Sequence, residues 1–218
     1  MSLKDRYTIK RISYHDAMDV IVANHYLHRK APCSFAFGLF EDTKETTSLF
    51  DNERLVGVVV YGTPSSAPLR KGICGKEEAS NVIELTRLWI EDETPKNTES
   101  FLIGNTIKLV DKEIVVSFAE IQQGHLGIVY QATNWIYTGL SAKRTNWIIE
   151  GCNKHCQTIA DKYTVKEIRE KYGDKFTTVD RPRKHRYIYF NATKKRKKEL
   201  LTKLKYNVEK YPKAILSK

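Results

Sequence analysis

The sequence predicts an α/β fold: a mixed, twisted sheet of about six to seven strands with flanking helices, closed by a basic C-terminal helix. Three observations predict it. Runs rich in branched and aromatic residues are interleaved with runs whose apolar residues recur at helical spacing. The middle of the chain reads strand, helix, strand, helix, which favours parallel neighbours with antiparallel hairpins on the flanks. The last 28 residues, 191–218, hold ten Lys or Arg against two Glu, so +8 of the formal net charge of +11 lies there.

Residues 7–14 alternate as a first strand, and residues 15–28 follow as a helix with Ala17, Val20 and Ile21 on one face. That helix stops before Ala31-Pro32, because proline disfavours helix in the residue before it. Residues 34–40 and 54–61 read as two strands, joined by the polar segment 41–53 as a loop or loose hairpin. Residues 62–68 form a turn or loop by composition. Residues 82–90 make the long central strand, followed by an acidic, proline-bearing turn and a helix with Phe101, Ile103, Ile107 and Val110 inward. Asn97 is its natural N-cap, with Thr98, Glu99 and Ser100 in the first turn. A strand feeding a helix N-terminus offers unpaired N–H groups to an anion such as a diphosphate. Glu99 competes with such an anion for the positive end, and a capped surface helix without a ligand fits the same spacing.

Residues 114–119 form a short apolar strand, and 124–139 contain a helical pattern closed by Gly139. Residues 145–150 and 186–190 read as late strands, with a polar, mainly helical insertion at about 151–180 between them. From Ala192 the pattern is a basic helix. With no internal repeat, the chain divides into one domain, 1–190, and a basic helix or tail, 191–218.

A chain of 218 residues with 41% hydrophobic and 11% aromatic content is long enough to bury one core. Four cysteines do not make a disulfide framework at this length. No run approaches the roughly 18–20 apolar residues needed to cross a bilayer, so no membrane partner is expected, and the protein should be soluble, reduced and cytoplasmic. The charge asymmetry points to a polyanion, nucleic acid first. A solvated lysine-rich helix that keeps the protein soluble accounts for it equally.

Glu84 and Arg87 stand three apart on the central strand, so a regular strand sends them to opposite faces, whereas a bulge would bring them together. Arginine is rarely buried unpaired, so Arg87 among Leu85, Leu88 and Trp89 is either a structural pair with a core carboxylate or a functional group. Ser117 is a small core residue or a group facing the strand of Arg87. Tyr137 stands at a predicted helix end, where an aromatic is usually a packing residue, with Asn134 three residues before it. Tyr130 lies on the same predicted helix. His25 and His28, at helical spacing, meet metal-binding geometry without an accompanying carboxylate, so no metal is expected there. Contact with DNA alongside Arg29, or capping, are the alternatives. Cys152, His155 and Cys156 lack the second half of a zinc signature, and His125 has no separate support. Lys194 to Lys198 with Arg181, Arg183, Lys184 and Arg186 would bind phosphates without sequence choice. Tyr26, Trp135 and Trp147 are either base-stacking platforms or core.

The order of elements resembles the GNAT acyltransferase fold, in which a long central strand and the helix after it bind acyl-CoA. The run from Ala132 to Leu140, ATNWIYTGL, is similar to that family's helix ending, where the tyrosine protonates a departing thiolate. The strings NHYLHRK, GVVVYGTPSS, ELTRLWIEDETPKNTESFLIG, SFAE, QGHLGIVYQATNWIYTG and RYIYF, over roughly residues 20–190, together resemble the Mom family. Those are phage-encoded, GNAT-like proteins that modify adenine in DNA and shield it from host restriction enzymes. The resemblance implies double-stranded DNA as partner, acetyl-CoA or a related acyl-CoA as cofactor, and a carbamoylmethyl group placed on adenine N6. It implies Arg87, Ser117, Tyr137 and Glu84 at the reacting centre. Leu88, Trp89, Lys96, Asn97, Ser100 and Asn134 would contact the cofactor. His25, Tyr26, His28, Arg29, Lys184, Arg186, Lys194, Lys195 and Arg196 would contact DNA. The glycine-rich Q/R-x-x-G-x-G/A turn of ordinary GNAT enzymes is replaced by ETPKNTES, an absence that Mom-type proteins share, and acetyl transfer alone would not give a carbamoylmethyl product. An N-acetyltransferase of a small amine or protein, and a non-enzymatic DNA-binding protein on the same scaffold, are the rival expectations.

Overall fold

The computed structural model describes residues 2–42, 53–152, 159 and 162–213. A short helix α1 (Leu3–Arg6) leads into β1 (Tyr7–Arg11) and α2 (Tyr14–Asn24), which Ser13 caps by accepting from the Asp16 N–H. Next come β2 (Phe35–Asp42), β3 (Glu53–Gly62) and α3 (Ala67–Cys74), then β4 (Val82–Ile90), α4 (Thr98–Thr106) and β5 (Ile114–Glu120). The second half holds α5 (Ile128–Ala132), β6 (Ile136–Leu140), β7 (Arg144–Ile149), α6 (Val165–Tyr172), β8 (Phe176–Arg181), β9 (Lys184–Phe190) and α7 (Lys194–Lys203). Seven strands form one mixed sheet in the order β1-β2-β3-β4-β5-β9-β6, while β7 and β8 make a separate two-stranded ribbon. Among the described residues only β4 and β5 run parallel, as the strand-helix-strand centre predicts.

Alternation along each strand sends side chains to two cores. On one face Ile83, Leu85, Val115 and Tyr61 pack with Leu102 and Ile103 of α4 and Tyr130 of α5. On the other, α2 packs Ala17, Met18 and Ile21 on Val58 and Val60, and α3 and α7 cover Val82, Val116 and Ile188.

Two irregularities in the centre of the sheet position the site. The β3–β4 register slips so that Val60 faces Arg87 and Tyr61 faces Leu85, leaving Thr86 as an extra residue. This bulge switches the parity of β4. Ile83 and Leu85 before it share the α4 core with Leu88 and Ile90 after it, and Trp89 packs on the opposite side. Glu84 and Arg87 therefore share one face, the outcome that only a bulge permits. The second irregularity is a splay: β4 pairs with β5 only from Val82 to Glu84, opposite Ile114 to Val116, and the strands then part.

Several expected elements take a different form. The helix expected over 15–28 ends at Asn24, and His28 has φ 43°, so His25 and His28 lie on an irregular strap instead of one helical face. The turn expected at 62–68 gives way to α3 at Ala67, where Ser66 caps by accepting from the Leu69 N–H. The helix expected to reach Gly139 stops at Ala132; Asn134 turns the chain at φ 60° and Ile136 starts β6. Burial of Trp135 and pairing with β9 outweigh the helical spacing of that run. The strand expected at 145–150 leaves the main sheet and pairs with β8, a strand inside the supposedly helical insertion. The basic helix ends at Lys203, and the following residues continue without regular structure, with Lys205 N–H on the Ile73 carbonyl and Glu209 N–H on the Tyr137 carbonyl. The joining segment 43–52 lies outside the described residues, as do His155 and Cys156.

Candidate active site

The splay is the natural place for chemistry, because beyond Glu84 the edge of β4 loses its β5 partner. Ser117 spans the opening. Its Oγ lies 2.9 Å from the Leu85 carbonyl and 2.8 Å from the Tyr130 hydroxyl. A serine has one proton to give, so Ser117 donates to the carbonyl and Tyr130 donates to Ser117. Cavities open on both faces of the splay, one of about 590 Å³ towards α3 and the ribbon and one of about 440 Å³ towards α4 and α5. Leu27, Glu84, Thr86, Arg87, Phe118 and Lys184 line both, so the cavities meet at the bulge.

The charges at that meeting point are unusual. Burial pushes the Glu84 carboxyl up to about 7, against the opposing pull of Lys184 and Arg87. One Arg87 guanidinium nitrogen donates to the Thr86 carbonyl at 2.6 Å, while its Nε is buried with no partner among the described residues. Lys184 pairs with Glu120 at 2.6 Å. His25 is pushed down to about 4, first by burial and then by Arg87, so its imidazole is neutral at physiological pH. Its Nδ1 accepts the Leu27 N–H at 3.1 Å, which places the ring proton on Nε2. Tyr26 stacks on His25 at 4.3 Å and meets His125 edge-on. The strap carrying them is tied down where Thr86 Oγ1 approaches the Pro32 carbonyl at 3.1 Å. Gly62 permits that approach, since a Cβ there would overlap the same carbonyl.

The sequence matches the Mom protein family over residues 6–213. The chain belongs to the Mom family. It is 27% identical over 212 residues to the methylcarbamoylase mom of Escherichia phage Mu, covering 94% of this chain and 83% of that one. Among solved structures it is similar to Arabidopsis thaliana NAA60 in complex with acetyl-CoA, at 9% identity and a TM-score of 0.47, over 84% of this chain and 99% of that one. It is also similar to spermidine N-acetyltransferase of Vibrio cholerae, at 9% identity and a TM-score of 0.45, over 86% and 95% of the two chains. Likeness at that level bears on neither substrate nor cofactor.

In this Mom-family chain the fold gathers Glu84, Arg87, Leu88, Ser117, Lys184, His25, Tyr26 and Arg29 around the two cavities. It does not bring Tyr137 there. Tyr137 is buried in β6, the edge strand paired with β9, its hydroxyl 2.8 Å from His185 Nδ1, and Tyr130 occupies the position by the splay instead. Asn134 is exposed on the turn before β6, and Trp89 packs against the α2 core. Lys96 and Asn97 are exposed, and Ser100 Oγ donates to the Asn97 carbonyl. Arg186, expected on DNA, is buried: Thr138 takes two of its donors at 2.8 Å and its guanidinium stacks 3.4 Å from the Tyr206 ring centre. Arg196 is likewise committed, to Glu78, Glu113 and Glu199, and anchors α7 to the body. Lys194, Lys195 and His28 line neither cavity. Sequence reasoning left Tyr130, Thr86 and Arg144 without roles. Only the bulge, the splay and the ribbon reveal them.

The turn into α4 does not fit the diphosphate of an acyl-CoA. Glu91 is paired with Arg54, but Asp92, Glu93 and Glu99 stand against Lys96 alone within residues 92–99, and Glu99 lines the smaller cavity. The Thr98 N–H is already taken by the Pro95 carbonyl. Among the described residues no group of three or more His, Cys, Asp or Glu is placed to hold a metal, and no helix is long and apolar enough to cross a membrane.

Proposed function

We propose that this chain is a transferase that places a carbamoylmethyl group on N6 of adenine in double-stranded DNA, acting in the cytoplasm of a phage host and shielding that DNA from restriction. The reading draws on the family and on the methylcarbamoylase name of the phage Mu relative. The observation that carries it is the meeting of two cavities at Glu84 and Arg87, which lets two reactants approach one point from opposite faces.

The adenine amino group is a poor nucleophile, because its lone pair is delocalised into the ring. A base turned out of the duplex into the larger cavity presents that amine to Glu84. With its pKa near 7, Glu84 is poised to accept the N6 proton as the N6–CH2 bond forms, a contribution of roughly 10²–10⁴-fold. The bond from that carbon to its leaving group breaks, and the leaving group keeps the electron pair. Arg87, with a buried and unpartnered Nε, stabilises the negative charge that develops. Tyr130, held protonated by burial, turns its hydroxyl proton from Ser117 to the departing group in the smaller cavity, and its oxygen then recovers a proton from solvent.

The test is nucleoside mass spectrometry on DNA from cells expressing the protein, beside Glu84→Gln and Arg87→Ala. The expected result is an adenosine heavier by one carbamoylmethyl group, lost in both variants. An added acetyl mass would replace the proposed chemistry with simple acyl transfer to DNA. Unmodified DNA from well-expressed, folded protein would overturn the reading.

A further inference from the structure

The two cavities differ in charge. Seven cationic side chains and one carboxylate, Glu84, line the larger one, whereas the smaller has Arg87 and Lys184 against Glu84 and Glu99. Three of the seven have other duties: Lys184 pairs with Glu120, Arg186 is held by Thr138 and Tyr206, and Arg87 donates to the Thr86 carbonyl beside Glu84. Four do not. Arg29 and Lys30 on the strap, and Arg144 and Arg181 on the ribbon, are exposed and have no carboxylate within ion-pair distance among the described residues. The ribbon pair is the more informative, because Arg144 and Arg181 stand directly opposite each other across β7 and β8. Like charges in that position destabilise a ladder. Their neighbour Asp180 offers no relief, since it pairs with Thr145 and so projects from the other face of the ribbon. That other face, through Trp147, Ile149 and Phe176, packs on Ile168 of α6. The arginines share the outer face with Asn146, Ile148 and Val179, of which Ile148 and Val179 are exposed.

We propose that the outer face of the β7–β8 ribbon is a clamp for the phosphate backbone of double-stranded DNA, with Arg144 and Arg181 neutralising phosphates on one side of the larger cavity and Arg29 and Lys30 on the other. Apposed cations that cost stability in the free protein become favourable when phosphates lie between them. The adenine then enters through the larger cavity and the group donor through the smaller one. This rests on the reading of DNA as substrate. It moves the principal DNA surface from the basic C-terminal segment, residues 191–218, where most of the net charge lies, to a ribbon outside the main sheet.

The test measures binding of the full-length protein to a fluorescent duplex across a salt series, with thermal melts of each variant. Arg144→Ala combined with Arg181→Ala should lower the slope of log affinity against log salt by about 1.8, that is, by two phosphate contacts. The pair Lys194→Ala and Lys195→Ala should leave the slope nearly unchanged. Arg144→Glu should separate binding from stability: a carboxylate opposite Arg181 raises the melting temperature while duplex affinity falls. A residue needed only for the fold would lose both together. An unchanged slope in the ribbon double variant, a slope that falls only in the α7 variant, or wild-type protein that does not bind duplex at low salt would each overturn the clamp. Ribbon-dependent binding by protein that leaves adenine unmodified in cells would uphold the clamp while rejecting the catalytic reading.

Discussion

Replacing Glu84 by Gln should make the protein both more stable and far less active, for one reason. The folded chain holds the Glu84 proton up to about pH 7, where an ordinary glutamate loses it near 4.5. That difference corresponds to about 3 kcal/mol once the group is fully ionised. Between those values the native state binds a proton that the unfolded chain has released, so this contribution makes stability fall as pH rises. His25 acts in the opposite direction. Buried and neutral, it takes a proton only near pH 4 against an ordinary 6.5, so its contribution is lost as pH falls through that window. Burial lowers the pKa of His185 too, which adds to the same side. In the wild type the slopes of Glu84 and His25 largely offset each other. Glu84→Gln removes one of them: the variant should match wild type below about pH 4.5 and exceed it by up to about 3 kcal/mol above pH 7. His25→Gln should show the reverse tilt, with stability falling as pH rises. The assay is urea denaturation at a series of pH values, paired with modification rates in which a limb near pH 7 disappears in Glu84→Gln. A stability difference that is constant with pH, or a less stable Glu84→Gln protein in alkali, would refute the reasoning.

Ser117→Ala should cost about 1–3 kcal/mol by urea denaturation, because the Leu85 carbonyl and the Tyr130 hydroxyl lose a buried partner. Tyr130→Phe should lower the modification rate by the roughly 10²–10⁴-fold of a lost proton transfer. Tyr137→Phe should forfeit only its bond to His185, about 1 kcal/mol, and leave the rate intact; a rate lost in Tyr137→Phe and kept in Tyr130→Phe would return the acid role to Tyr137. Arg196→Ala should lower the melting temperature, since Glu78 and Glu113 lose a shared partner, and should leave the salt dependence of DNA binding unchanged. Gly62→Ala should push the Pro32 carbonyl off the bulge, lowering both melting temperature and activity; a variant with wild-type values would show that the strap has room to move.

Elements whose signal is local can be read from the amino-acid order. The central strand, the apolar strand with Ser117 and the helix between them were legible because alternation, capping and helical spacing act within one segment. The family was legible for the same reason, from short strings in order. Glu84 and Arg87 could be named as residues out of place in an apolar strand, and the need for a bulge could be stated. Whether the bulge exists was settled by Val60 and Tyr61, on a strand some 25 residues earlier. Tertiary structure alone decided the rest. Tyr137 left the helix its spacing suggested because Trp135 found a core and β9 needed an edge partner. Arg186 and Arg196, expected on DNA, are committed to the fold because Thr138, Tyr206 and three glutamates engage their charges. Arg144 and Arg181 became a pair only when two distant strands met in register. Periodicity records which face of its own segment a side chain occupies, but not which partners the other segments bring to that face, and those partners decide whether a charge is spent on the fold or left for a ligand.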